Sequence, residues 1–318
     1  MAETTDQLEL HDVVMIGAGP TSLAAAVYTT REDIETVLYE KGVIGGLAAV
    51  TDWIDNYPGF VDGIEGLKLA EQFQGQAERF GAQIRFGEVM NITDKGSRKL
   101  LETTDGTISA KAILIATGSD YKKLGIPGEV EYYGRGVHYC ATCDGAFYRD
   151  KKLVVVGGGN SAVQEAIFLT RYTTHIDLLV RSTLRASEIL QHDLDKMVES
   201  GKITVHLNTT TDEILANEGG VNKIIGTRDG ERIEFDTDGI FIFVGLKPNT
   251  DFLHGSVELD EIGLIKTDTE LQTNIPGVFA AGDVRSGATM QIASAVGEGA
   301  TAALSIRKYL EELERSEV

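Results

Sequence analysis

Residues 12–40 and 152–181 follow one pattern, and it restricts the possible folds more than any other feature of the chain. DVVMIGAG is an apolar run that breaks into glycines, PTSLAAAVYTTRE has helical spacing, and ETVLYE is a second run of strand length. KLVVVGGG, NSAVQEAIFLTRY and HIDLLVR repeat that order. Strand, glycine turn, helix and strand make a βαβ unit, and each such unit implies a parallel, doubly wound sheet. The predicted class is therefore α/β, with two Rossmann-like nucleotide-binding domains of three layers (ββα/βα). RKLLETTDGTISAKAILIATGS between the units reads as strands around a DG turn. KITVHLN and NKIIGTRDGERIEFDTDGIFIFVG add strands after the second unit. VFAAGDVRSGATMQIASAVGEGATAALSIRKYLEEL closes the chain with a buried strand, a Gly-Asp turn and a long helix. The predicted organisation is one domain of residues 120–246 inserted into another of residues 1–119 and 247–318. Two short crossings then permit rotation of one domain against the other.

The two turns carry chemistry. In Gly17-Ala18-Gly19-Pro20-Thr21-Ser22 the first glycine makes the turn and the second admits a pyrophosphate to the backbone. The helix N-terminus adds N–H groups and partial positive charge. Ser22 replaces the third glycine, which predicts slightly looser packing of helix on strand. Glu40 ends the second strand, where a carboxylate binds ribose hydroxyls. A tight turn without ligand is the plain alternative. The second turn, Gly157-Gly158-Gly159-Asn160-Ser161-Ala162, has the G-x-G-x-x-A form. Its second strand ends in Arg181, with Arg185 close behind, and no acid stands there to repel a 2′-phosphate. A guanidinium fork pairs with phosphate oxygens, so the two arginines are candidate NADP contacts; as a plain alternative they are solvated surface charges.

Cys140 and Cys143 are the only cysteines, and Asp144 follows the second. Two cysteines are too few for a disulfide framework. A close pair in a reducing compartment suits catalysis or metal binding. Disulfide exchange needs an attacking thiolate and a resolving thiol, and two intervening residues let both sulfurs share one turn. A helix N-terminus or a nearby cation would lower the thiol pKa. Asp144 would then serve as general acid–base. A zinc site would need a second pair, which only a dimer could supply, and His138 reads as a packing or surface residue. Trp53 and the aromatics at 57–60 read as core.

The net charge of −20 argues against binding nucleic acid through phosphates. A salt-loving source is compatible with it. No apolar run reaches the ~18 residues of a membrane helix, and the acidic start lacks signal-peptide patterning, so a cytoplasmic protein is expected.

GAGPTSLAAA, the glycine pair followed by NYPGF, ATG, GRGVHYCATCDG, GLKPNT and AGDV occur in an order that resembles the low-molecular-weight thioredoxin reductases along nearly the whole chain. The resemblance implies a homodimer with FAD in the first domain and a nicotinamide cofactor, NADPH or NADH, in the second. It implies FAD contacts at Gly17, Gly19, Pro20, Ser22, Glu40, Gly45, Gly46, Leu47, Asn56, Thr117, Gly118, Asp283, Met290, Gln291 and Ile292. It further implies nicotinamide contacts at Gly157, Gly159, Asn160, Ser161, Ala162, Arg181 and Arg185, catalysis by Cys140, Cys143 and Asp144, and a grip on thioredoxin at Arg135 and Phe147. By the same likeness Cys143 lies nearer the flavin. Leu47 stands where the family usually has glutamine, Met290 where it often has arginine, and Ala146 where it has an aromatic. The family's adjacent arginine pair is reduced to Arg181, with Arg185 beyond, which predicts relaxed nicotinamide selectivity. A ferredoxin-dependent reductase of the same fold and a non-enzymatic CxxC redox sensor are the alternative readings.

Overall fold

The computed structural model describes residues 8–51 and 53–317. The chain separates into two compact units. One runs to Asp120 and resumes at Lys247; the other is Tyr121–Leu246.

The first unit is built on a seven-stranded sheet. Strands Gln83–Phe86, Thr36–Glu40, Leu10–Ile16 and Gly106–Ile115 lie side by side in parallel. The strand Gly106–Ile115 changes partner along its free edge. Its first half pairs antiparallel with Arg98–Thr103, and its last three residues pair parallel with Val278–Ala280. Strand periodicity of two then sorts the side chains. Val13, Met15, Leu38 and Leu114 face a helical layer of Pro20–Thr30 and Ile292–Glu317, while Val14, Ile16, Val37 and Ile113 face the antiparallel strands. Full burial contributes about 1.5–3 kcal/mol per large apolar side chain, and both faces use it. Ser22 is fully buried. The last helix meets the first closely at Gly299, where a Cβ would sit 2.2 Å from the Thr21 carbonyl oxygen.

The second unit repeats the plan. Its five-stranded parallel sheet runs Val137–His138, Ile240–Ile242, Lys152–Val156, His175–Leu179, Ile203–His206. An antiparallel meander, Thr209–Asn217, Gly220–Arg228 and Glu231–Asp236, covers one face, and the helix Asn160–Leu169 packs on the other.

Trp53 departs from its expected place. It is 43% exposed, because it lies on a two-residue strand and lies flat over Gly63, where a Cβ would stand 2.4 Å from its indole nitrogen. Tyr57 and Phe60 are half-buried, and Tyr57 meets Phe73 edge to face at 5.6 Å. No described helix is long and apolar enough to cross a membrane.

Candidate active site

In the first unit a cavity of about 370 Å³ opens at the glycine turn. Gly17, at φ +93°, makes the bend, and a Cβ there would come within 2.6 Å of the Ala116 carbonyl oxygen. Gly19 caps the helix in extended conformation with open space where a Cβ would point. Gly118, at φ +69°, is equally open. These gaps leave bare backbone facing the cavity. Pro20, Glu40, Gly46, Leu47, Thr117, Asp283, Gln291 and Ile292 also line it. Glu40 holds its own turn together: its carboxylate accepts from the amides of Ala18 and Gly42, each at 2.7 Å. Thr117 and Asn249 are tied reciprocally, the Thr117 hydroxyl donating to the Asn249 carbonyl at 2.7 Å and the Asn249 amide to the Thr117 carbonyl at 3.0 Å.

Asp283 fits a polyhydroxyl ligand. No donor from the described residues meets its carboxylate, and burial, with Glu298 nearby, pushes its pKa up to about 6. Ligand hydroxyls would supply the missing donors. Glu298 itself fixes the turn: it accepts from the Gly282 amide at 2.8 Å and from Arg285 at 3.1 and 2.6 Å. Four sequence candidates do not line the cavity. Ser22 is buried in the helix, and Gly45 packs on Ala70. Asn56 reaches the rim by donating to the Gln291 side chain at 3.1 Å. Met290 sits at φ +56° and accepts from the Gln291 side chain through its carbonyl.

A second cavity, about 670 Å³, lies wholly within the inserted unit. Gly157, Gly159, Asn160, Ser161, Arg181 and Arg185 line it; Ala162 lies beneath, fully buried. The Arg185 amide donates to the Gly158 carbonyl at 2.6 Å, and the Asn160 side chain accepts from Ser187 at 2.8 Å. Those bonds hold the 182–187 segment on the turn and leave both guanidinium groups exposed at the mouth. Lys122 and Lys123 share the rim, as do Thr209–Asp212. Spacing along the chain carries no sign of these residues, because the fold brings them to the turn at Gly157–Ala162 from more than 30 positions away.

Cys140 and Cys143 form a disulfide with Cα atoms 5.3 Å apart. The edge strand Val137–His138 delivers them, and Cys140 caps the one-turn helix Ala141–Asp144. Its sulfur accepts from the Cys143 amide at 3.2 Å. The Asp144 carboxylate stands 3.1 Å from His138 Nδ1, and His138 Nε2 is 2.7 Å from the Tyr148 hydroxyl. His138 is thus a buried residue in contact with Asp144, next in sequence to Cys143. Arg135 and Phe147 are exposed.

The model of the pyridine nucleotide-disulphide oxidoreductase family matches residues 11–299. A thioredoxin reductase of Listeria monocytogenes is 43% identical over 312 residues, 97% of this chain and 96% of its own. One from Bacillus subtilis is 40% identical over 97% of each. The crystal structure of thioredoxin reductase from Streptococcus pyogenes aligns with a TM-score of 0.90 at 40% identity, covering 96% of this chain and all of the other. With two nucleotide-type turns, a CxxC disulfide beside the second and relatives of this closeness over full length, the chain belongs to the pyridine nucleotide-disulphide oxidoreductases and, among them, to the thioredoxin reductases.

Proposed function

We propose that the chain reduces the disulfide of thioredoxin or a thioredoxin-like protein, using NADPH as donor, FAD as carrier and Cys140–Cys143 as the exchanging pair. The disulfide set directly ahead of the second turn carries this reading. The discontinuous unit is read as the FAD domain and the inserted one as the nicotinamide domain. The bare backbone at Gly19 and Gly118 and the donor-less Asp283 suit FAD. A bound flavin supplies two electrons at a time to a disulfide. Four cationic side chains at the mouth of the second cavity, Lys122, Lys123, Arg181 and Arg185, favour a 2′-phosphate over a free ribose diol.

The chain's own part is thiol chemistry. Two electrons break the Cys140–Cys143 bond, and two protons complete the dithiol. One thiolate then attacks the partner's disulfide and releases a partner thiolate. The other closes on the mixed disulfide, restores Cys140–Cys143 and releases the second partner thiolate. Asp144 supplies and accepts the protons at the cysteine pair. Exposed Arg135 and Phe147 form the proposed grip on the partner, and the working form is a homodimer.

Anaerobic titration of the purified flavoprotein with NADPH, NADH and reduced ferredoxin in turn is the test. NADPH should bleach the flavin and then reduce thioredoxin. Cys143→Ser should still bleach, yet lose more than ~10³-fold in thioredoxin reduction. Bleaching by ferredoxin alone would replace the nicotinamide reading. Near-normal turnover by Cys143→Ser would remove the dithiol from the pathway.

A further inference from the structure

His138, Tyr148 and Asp144 make a line of polar groups through an apolar wall. His138 is 7% exposed, stacks on Phe241 at 5.1 Å and meets the Tyr148 ring edge to face at 5.3 Å. Its neighbours leave the ring little freedom to turn. Burial, with Asp144 and Asp238 nearby, pushes the Tyr148 hydroxyl upward, so it keeps its proton and can donate to Nε2. That bond leaves Nδ1 to carry the ring hydrogen. Nδ1 is the atom 3.1 Å from the Asp144 carboxylate.

We propose that His138 is a positioning residue for Asp144: a ring locked by Tyr148 and Phe241 holds the carboxyl where it exchanges a proton with a cysteine sulfur. This rests on the reading of Asp144 as the acid–base. In the step concerned, the donor's two electrons break the S–S bond and leave two thiolates; one takes its proton from Asp144 and the other from solvent. The carboxylate regains its proton from solvent. His138 neither gains nor loses one. Its contribution is orientation, on which proton transfer depends steeply.

Four holoenzyme variants test the idea. His138→Phe keeps the ring stack and removes both nitrogens. It should lower kcat with thioredoxin about tenfold, a fraction of the ~10²–10⁴ a general acid supplies, and leave KM within about twofold. His138→Asn puts an amide donor near the Nδ1 position and should recover to within about threefold of the parent. Asp144→Asn should be slower than either. In the double variant His138→Phe/Asp144→Asn the first change should add less than about twofold, because it acts through the missing carboxyl. A full further tenfold loss in the double variant would make His138 an independent structural support and overturn the proposal. So would His138→Phe at parental rate while Asp144→Asn is slow. Parental turnover by Asp144→Asn would instead overturn the acid–base reading itself. If His138→Phe does not fold, as judged by melting temperature and flavin absorbance, Tyr148→Phe takes its place. It should slow kcat about threefold, and an unchanged kcat would count against the proposal.

Discussion

The glycine turns of the two units have the same backbone and opposite charge. Gly17 and Gly157 both lie at positive φ, and a Cβ on either would strike a carbonyl oxygen of the neighbouring strand, Ala116 at 2.6 Å or Phe243 at 2.4 Å. Gly19 and Gly159 both cap a helix in extended conformation with open space beyond. Ser22 and Ala162 are both fully buried. The turns part at the next strand end. Glu40 there is drawn into its own turn by two amides, whereas Arg181 stands exposed at a basic mouth. The two turns thus share one backbone conformation, and the residue at the next strand end gives them opposite charge.

The largest effects should come from the glycines that the turns share. Gly17→Ala and Gly157→Ala force a side chain into positive φ and onto a carbonyl oxygen. Each should cost about 1–3 kcal/mol or more, read as a fall in melting temperature. Gly159→Ala meets neither problem. Its melting temperature should stay within about 1 °C, because its Cβ takes only empty space. Equal destabilisation by Gly157→Ala and Gly159→Ala would show that the two positions are not divided between bend and seat.

A smaller effect should follow from the charges that separate the turns. If NADPH is the donor as proposed, Arg181→Ala would remove one charged bond to its 2′-phosphate, worth roughly 1.5–3 kcal/mol. The kcat/KM for NADPH should fall about ten- to a hundredfold, at ~1.4 kcal/mol per decade. That for NADH should move less than about twofold. A parallel fall for both nucleotides would assign Arg181 to the shared part of the cofactor, and the contrast with Glu40 would lose its meaning.

A third effect should come from Asp283, a buried carboxyl that the second cavity does not match. Its folded pKa of about 6 exceeds the ordinary 3.8 of a free aspartate. The folded apoprotein therefore holds a proton that the unfolded chain has lost, and stability falls as pH rises from about 4 through 6. Asp283→Asn removes that penalty. At pH 8 the variant apoprotein should be more stable than the parent by up to about 3 kcal/mol, and the two should converge near pH 4. Denaturant titration of both at several pH values would show it. A constant difference across that range would mean that the carboxyl does not titrate on folding.

The turns were readable because glycine, small residues and strand-terminal charges sit at fixed short spacing, and the backbone they specify is local. The Cys140–Cys143 pair was readable for the same reason. Lys122, Lys123 and Thr209–Asp212 were not, because they reach the second cavity through pairing of distant segments. His138 read as a packing or surface residue, since nothing in HYCATCD shows that Tyr148 returns along a 3-10 turn to meet it. Trp53 read as core because large aromatics usually are buried, while a two-residue strand gave it no layer to sit beneath.

The strand Gly106–Ile115, with its change of partner, sets an order of events during synthesis. Its antiparallel neighbours precede it by a few residues, but its parallel neighbour Val278–Ala280 emerges from the ribosome more than 160 residues later. At translation rates of ~5–20 residues per second that interval lasts roughly ten to thirty seconds. Throughout it the outer edge of Ile113–Ile115 has no strand to bond, and the helical layer lacks its longest member. The inserted unit, Tyr121–Leu246, is complete before that strand arrives. The first domain to begin is therefore the last to close, and a nascent chain depends longest on protection at Ile113–Ile115.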